Sequence, residues 1–396
     1  MNVLGSSLFD IAAVIYVYQQ SNQNPLSIAL YMISMALPTI VLPPLGGALG
    51  SKYSRKKIII LTEVIIALLS ISMFFSPESS YIYVLAVLMS SINVLSGPSR
   101  GSYVPDLVKK EKLLKANTLI QSSSSLASII GVLVAGGIVL ISDPAYGFIL
   151  HSFCLIISSV FIGFTRPVIS YQEVKSSKQV KEVVPLLNQM AKSIRELFKL
   201  KPAFRISLLL GVVLGISGII NVLYLVFLTQ VLNADESLYS VLMLIESMGL
   251  FLGSLTVNYF RRHIGIWKLL FSAVVIDGIC IASHLFISNT IYFFMVGLIT
   301  GMIGAMIFIV SSTLLQETIE EHRRARLMGA HQTVIGLFSI PGLLIGGMIQ
   351  SFGDIRHIFF ISGIAIMIVG CIYFITEGKR MKQYQLEKEG FKIGTK

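Results

Sequence analysis

Apolar residues run in long blocks along this chain, and polar residues gather in the short gaps between them. Twelve blocks stand out, at 2–19, 28–50, 58–75, 81–99, 116–141, 145–165, 206–230, 238–259, 267–287, 290–314, 327–350 and 357–376. Most are close to the ~20 residues a helix needs to cross a hydrocarbon core. The run 278–316 has no acidic or basic side chain except His284 and is too long for one crossing. Ser288 and Asn289 supply a polar turn that divides it. The pattern predicts an all-α membrane protein with twelve transmembrane helices. The first block, 2–19, carries Asp10 and lacks a basic leader, so it reads as a retained span rather than a cleaved signal peptide.

The gaps alternate in charge. All but one of the 31 Lys and Arg residues fall in every second gap, beginning with Lys52, Arg55, Lys56 and Lys57 and ending with the basic C-terminal tail. The other gaps hold Glu78, Asp143, Asp235, Glu236, Asp354 and the single exception, Arg356. Basic residues are retained on the cytoplasmic side of a membrane. The expected protein is therefore multi-pass in the plasma membrane, with both termini in the cytoplasm.

The longest internal polar stretch, 166–205, follows six blocks and precedes six more. It divides the chain into an N-terminal six-helix bundle at 1–165, a linker at 166–205, a C-terminal six-helix bundle at 206–376 and a cytoplasmic tail at 377–396. Inside the linker, Leu186, Leu187, Met190, Ile194, Leu197 and Phe198 recur at helical spacing, interleaved with Lys192, Arg195 and Lys199. An amphipathic helix on the cytoplasmic surface is expected there.

Composition changes this picture little. Hydrophobic residues make up 54 % of the 396, and charged residues only 13 %. A net charge of +11 could suggest a nucleic-acid partner. The cations are spread through short loops as orientation signals, with no recognition module beside them, so no nucleic acid is expected. Cys154, Cys280 and Cys371 lie singly in apolar blocks and read as small core residues, not as a metal site. No phosphate-cradling loop of the Gly-x-x-x-x-Gly-Lys-Ser/Thr kind occurs, and no nucleophile-and-base or His-Glu metal constellation does either. The chain does not read as an enzyme and calls for no cofactor beyond a proton gradient.

One stretch is more specific. Gly46-Gly47-Ala48-Leu49-Gly50-Ser51-Lys52-Tyr53-Ser54-Arg55-Lys56-Lys57 joins the second and third blocks. It resembles the signature loop of the major facilitator superfamily, Gly-x-Leu-Ala-Asp-Arg-x-Gly-Arg-Arg/Lys. Gly47, Leu49, Lys52, Arg55 and Lys56 fit, while Ser51 replaces the usual Asp and Ser54 the usual Gly. After the fourth block come Gly97-Pro98-Ser99-Arg100, Val104-Pro105-Asp106-Leu107-Val108 and Leu113-Leu114-Lys115-Ala116-Asn117-Thr118-Leu119. This series is similar to that of the branch containing macrolide-efflux proteins and enterobactin exporters. Block five stands where that family has its antiporter motif, Gly-Pro-x-Leu-Gly-Gly. Gly131 and Gly136 match it, and Val132 replaces the proline.

The resemblance implies two pseudo-symmetric six-helix bundles that rock about a central site. In such a fold helices one, two, four, five, seven, eight, ten and eleven line the cavity. Asp10, Glu246 and Asp277 sit inside apolar blocks, where a carboxylate costs about 2.5–3.5 kcal/mol or more if charged. Asp10 and Glu246 fall on cavity helices and are the expected proton carriers. Asp277 falls on helix nine, outside the cavity, on one face with His284, and a structural hydrogen bond between the two is expected. Glu63 is expected to pair with the basic turn six residues before it. Tyr16, Gln121, Asn221 and Tyr224 are the expected cargo contacts. Gly47, Lys52, Arg55, Lys56, Arg100, Asp106, Gly131, Gly136 and Pro341 are expected to serve the gating loop and helix packing. His151, His284 and His331 read as packing residues.

The function implied is secondary active export of a drug-like amphipathic compound, of macrolide or multidrug type, by proton antiport. A siderophore or lysolipid exporter is the alternative within transport. A membrane regulator or receptor that uses the same scaffold without transporting is the alternative outside it. The partners expected are a small-molecule cargo and the lipid bilayer, with the protein a monomer.

Overall fold

The computed structural model describes residues 1–42, 54–75, 79–108, 113–165, 186–319, 321–349 and 353–393. The described residues are helical almost throughout. In chain order the helices are α1 (Asn2–Gln20), α2 (Pro25–Val41), α3 (Arg55–Phe74), α4 (Ser79–Leu107), α5 (Leu113–Ile141), α6 (Tyr146–Phe164), α7 (Leu186–Lys199), α8 (Lys201–Val226), α9 (Leu238–Ile264), α10 (Ile266–Ala282), α11 (Thr290–Thr318), α12 (Glu321–Ile349) and α13 (Ile355–Ile393). A π-helical turn, Phe227–Val231, continues α8, and a 3₁₀ turn, Ser283–Phe286, continues α10.

A helix stands at each of the twelve expected blocks. Eight are long and apolar enough to cross a membrane, and shorter apolar helices lie at Pro25–Ile40, Tyr81–Gly97 and Leu126–Ile141. Several outer faces settle what surrounds them. Leu61, Leu68 and Phe75 recur every seventh residue along α3 and its C-cap, and Leu126, Leu133 and Leu140 do so along α5, all with large side chains exposed. Stripes of that kind have no stable counterpart in water. They face lipid, and the chain is an integral membrane protein.

The acids and amides of the mostly acidic gaps begin the helices that follow. Asn24 accepts from the Leu26 amide at 3.0 Å and Asn289 from Ile291 at 2.8 Å. Asp143, Asp235 and Asp354 accept from Ala145, Ser237 and Arg356 at 2.8, 2.8 and 2.9 Å. Each satisfies an amide that the first helical turn leaves free, and a carboxylate there also meets the positive end of the helix dipole. Hydrogen bonds from Ser237 hold the Asp235 carboxyl below its ordinary range, so this cap stays charged at neutral pH. Asn289 is the residue that splits the long apolar run, as its polarity predicts. Elsewhere the ends differ from the hydropathy pattern. The fourth helix runs on through Pro98 and Pro105 to Leu107, the twelfth begins at Glu321, and the last continues to Ile393. Hydropathy marks where lipid ends, not where the backbone stops being helical.

The chain forms two compact units. Unit 1 comprises Met1–Arg195 with Asp235–Leu244 and Gly346–Met348; unit 2 comprises Glu196–Ala234, Ile245–Ile345 and Ile349–Lys396. In unit 1, α3 packs on α4 and α6, α1 on α2, α5 and α6, and α2 on α4. In unit 2, α10 packs on α11 and α13, and α8 on α11 and α13. Glycines bring two more pairs together there, α8 with α12 and α9 with α11. The pairings of α3 with α4 and α6, of α1 with α5 and α6 and of α2 with α4 recur in unit 2 as those of α10 with α11 and α13, of α8 with α12 and α13 and of α9 with α11.

Candidate functional site

Unit 2 encloses a cavity of about 340 Å³. Its polar lining includes Asn221 and Tyr224 from α8, Glu246 from α9, Asp277 from α10, Thr300 from α11 and His331 from α12. Five helices thus contribute, and the reason lies in small residues. Gly249 and Gly253 press on the backbone of Leu298 and Met302, and Gly301 on the carbonyl of Glu246. These three glycines let α9 and α11 approach at backbone distance. That crossing holds Glu246 beside Thr300. On the far wall, Gly211, Gly215 and Gly218 seat α8 against Phe338, Ser339 and Gly342 of α12. Gly278 packs against Gly363 and Met367 of α13, which turns the neighbouring Asp277 toward the cavity.

Tyr224 stands on this wall with Thr300, Glu246 and Asp277, and the two carboxylates share one cavity. Neither has a hydrogen-bond or ion-pair partner among the described residues. Asp277 is only 9 % exposed. His331 contacts the Ser207 hydroxyl through Nδ1 at 2.9 Å. Ser207 donates its single proton to the Ala203 carbonyl at 2.8 Å, so it accepts from His331. That assigns the ring proton to Nδ1 and leaves Nε2 as an acceptor in the neutral ring. Unit 1 carries a serine–histidine pair of the same kind on different helices: Ser70 of α3 donates to the Phe148 carbonyl at 2.9 Å and accepts from His151 Nδ1 of α6 at 3.0 Å.

The expected site residues separate into groups. Glu246, Asn221 and Tyr224 meet at the cavity. Asp277, set aside because helix nine was expected to lie outside, meets them there. The anticipated Asp277–His284 bond is replaced: α10 ends at Ala282, and the 3₁₀ turn carries His284 away. Its Nδ1 lies 3.1 Å from the carbonyls of both Cys280 and Ile281, and its ring stacks on Phe359. Tyr16 is buried in unit 1 with its ring edge on Phe148, a core position. Asp10, the single acid of α1, is exposed and lies beside Tyr31 of α2, whose buried hydroxyl has no partner among the described residues. Gln121 and Asp106 lie in α5 and α4, and their side chains fall outside the described set, as do Gly47 and Lys52 entirely.

The packing residues have concrete partners. A side chain at Gly131 would strike the Leu4 carbonyl, and one at Gly136 the Ser240 hydroxyl. Pro341 lies within α12, which stays helical around it. Arg55 begins α3. Lys56 donates to the carbonyls of Gly163 and Thr165 at 2.7 and 2.8 Å, placing a cation on the negative end of α6. The partners of Glu63 among the described residues lie away from this turn. Its Oε1 accepts from Asn2 at 2.9 Å and from Ser158 at 3.2 Å and lies 3.8 Å from Arg100, which also donates to Asn2 at 3.1 Å. Six residues of helix turn a side chain well over a full revolution, so Glu63 faces inward toward α4 while Lys57 faces out. Sequence reading missed this four-helix cluster because nothing local links residues 2, 63, 100 and 158.

A largely apolar cavity among membrane helices, carrying a few polar groups and two acids without partners among the described residues, is the equipment of a membrane transporter. The family model of the major facilitator superfamily matches residues 1–342 and 206–394. The chain belongs to that superfamily. It is 25 % identical to the uncharacterized MFS-type transporter YfiS of Bacillus subtilis (strain 168) over 387 residues, 96 % of this chain and 91 % of that one. It is 21 % identical to macrolide efflux protein A of Streptococcus pyogenes over 382 residues, 94 % of this chain and 92 % of that one. Its fold matches the crystal structure of the nucleoside transporter NupG with a TM-score of 0.71 at 15 % identity, covering 94 % of this chain and 97 % of that one.

Proposed function

We propose that this transporter exports a drug-like amphipathic compound, of macrolide or multidrug type, from the cytoplasm in exchange for protons. The observation that carries this reading is Glu246: a carboxylate without a partner among the described residues, at the wall of a largely apolar cavity. Low dielectric penalises its charged form, so it exchanges a proton as its surroundings change. Cargo enters beside Asn221 and Tyr224 when Glu246 has lost its proton and leaves when it regains one. Asp10 serves the same exchange from α1 in unit 1. The two six-helix halves rock to present the site to each side in turn. The protein works in the plasma membrane, with both termini and the turn around Arg55 in the cytoplasm. The relationship to macrolide efflux protein A supports export and this cargo type.

A siderophore with several anionic groups is disfavoured, because no Lys or Arg lines the cavity among the described residues.

The test is expression in a susceptible host lacking its own pumps, screened against antibiotics, dyes and siderophores with and without a proton uncoupler. Wild type is expected to lower accumulation of an amphipathic drug, and the uncoupler to abolish that effect. Asp10→Asn and Glu246→Gln, at matched membrane levels, are each expected to slow efflux by about tenfold or more, the size of effect that losing one proton-transfer group produces. Uncoupler-resistant efflux, or full efflux by Glu246→Gln, would defeat the reading.

A further inference from the structure

The two cavity carboxylates make a demand that no side chain among the described residues meets. Asp277 is nine-tenths buried, lines the cavity and has no partner among the described residues; Glu246 lines the same cavity. Two like charges in an apolar wall are costly until something neutralises them. Groups of three or more His, Cys, Asp or Glu able to hold a metal ion are absent among the described residues. Two acids without further charged ligands fall short of a divalent-metal cage. Much of the wall around the acids is apolar, with Val213, Leu214, Ile281, Ile307 and Phe308 lining it beside neutral polar groups such as Ser311 and Gln332. Tyr224 adds an aromatic ring. Such a wall suits a cation that brings its own greasy surface, with ring faces to supplement the carboxylates.

We propose that the cavity of unit 2 is a receptor for a lipophilic organic monocation, with Asp277 as its principal counter-charge and Glu246 as the second. The proposal rests on the transporter reading, and it names the cargo's chemistry and adds Asp277 as a binding residue. Asp277 leads because it is the more deeply enclosed of the two, so its charge is less screened by solvent. The ammonium or phosphonium centre sits between the acids, and the apolar arms lie along α8 and α11.

Binding of tetraphenylphosphonium to the purified full chain in detergent tests this without any transport step. Triphenylphosphine oxide, uncharged and of similar apolar surface, is the control ligand. Wild type is expected to bind the cation at least about tenfold more tightly than the neutral compound, the difference one charge-assisted contact supplies. Asp277→Asn is expected to remove that preference, Glu246→Gln to weaken it about threefold, and Asp277→Glu to keep it. The neutral ligand is expected to bind all four proteins alike, which also shows that the variants are folded. Equal affinity of wild type for both ligands, absence of cation binding, or an unchanged preference in Asp277→Asn would overturn the proposal. Retained cation binding in a protein that does not export in cells would overturn the export reading and leave the receptor standing.

Discussion

Replacing Gly342 by leucine is expected to abolish accumulation of folded protein. A Cβ at Gly342 would land on the carbonyl oxygen of Gly215 and crowd its Cα. The obstacle is main chain and cannot swing aside. Either α8 and α12 move apart, losing contacts along their whole length, or the helix bends. Inserting even one or two methylenes into a packed core costs about 1–3 kcal/mol, and leucine adds four carbons against backbone. The loss reaches the cavity too, because α8 carries Asn221 and Tyr224 and α12 carries His331. Gly137→Ala is the control. Nothing lies within 4 Å of a Cβ there, so that change is expected to be neutral or to stabilise the helix by up to about 1 kcal/mol. Size-exclusion profiles of detergent-solubilised protein, at matched expression, report both. A monodisperse Gly342→Leu peak of wild-type height would contradict the packing account.

Glu63→Ala is expected to cost about 3–5 kcal/mol, because it strands Arg100 without its counter-charge. The Glu63 side chain is 2 % exposed and that of Arg100 26 %. Oε2 of Glu63 and Nε of Arg100 already lack partners among the described residues. The cluster is therefore satisfied mainly through Oε1, and losing that one acceptor also frees Asn2 and Ser158. The pair's net value is smaller than this cost, since removing both charges avoids the stranded partner. Glu63→Met with Arg100→Met is expected to recover most of the midpoint lost by Glu63→Ala in a thermal unfolding assay. A Glu63→Ala midpoint within error of wild type would show the cluster to be ornamental.

Much of the fold was legible in the sequence because lipid imposes one rule on every span. Backbone groups inside the membrane must bond within their own helix, so apolar length alone announced a helix at each of twelve places. Charge alternation marked the gaps, and Asn289 betrayed a turn inside an unbroken apolar run. Faces were harder. Spacing put Glu246, Gly249 and Gly253 on one side of α9, and they do share the α11 side. Spacing also put Asp277 and His284 together, yet α10 changes to a 3₁₀ turn at Ser283, and the register is lost. Tyr16 was chosen for its chemistry, but its neighbour Phe148 makes it core. Glu63 shows the general limit. Its real partners lie 61, 37 and 95 residues away, and no periodicity within one helix can point to them. Residue type told which groups were costly in the membrane; only packing told which of them share a pocket.

The glycine crossings and the acids belong to one design. Small residues let α9 meet α11 and α8 meet α12, and those two crossings leave the space that Glu246 and Asp277 share. A transporter of this superfamily with such a pocket exchanges cargo for protons if the acids change charge during its cycle.

The direct measurement is proton movement in liposomes containing the purified protein and a trapped pH dye. Adding an exported amphipathic drug is expected to move protons in the direction opposite to the drug, and Glu246→Gln is expected to abolish that signal. Drug movement at wild-type rate with no accompanying change in internal pH would contradict the account.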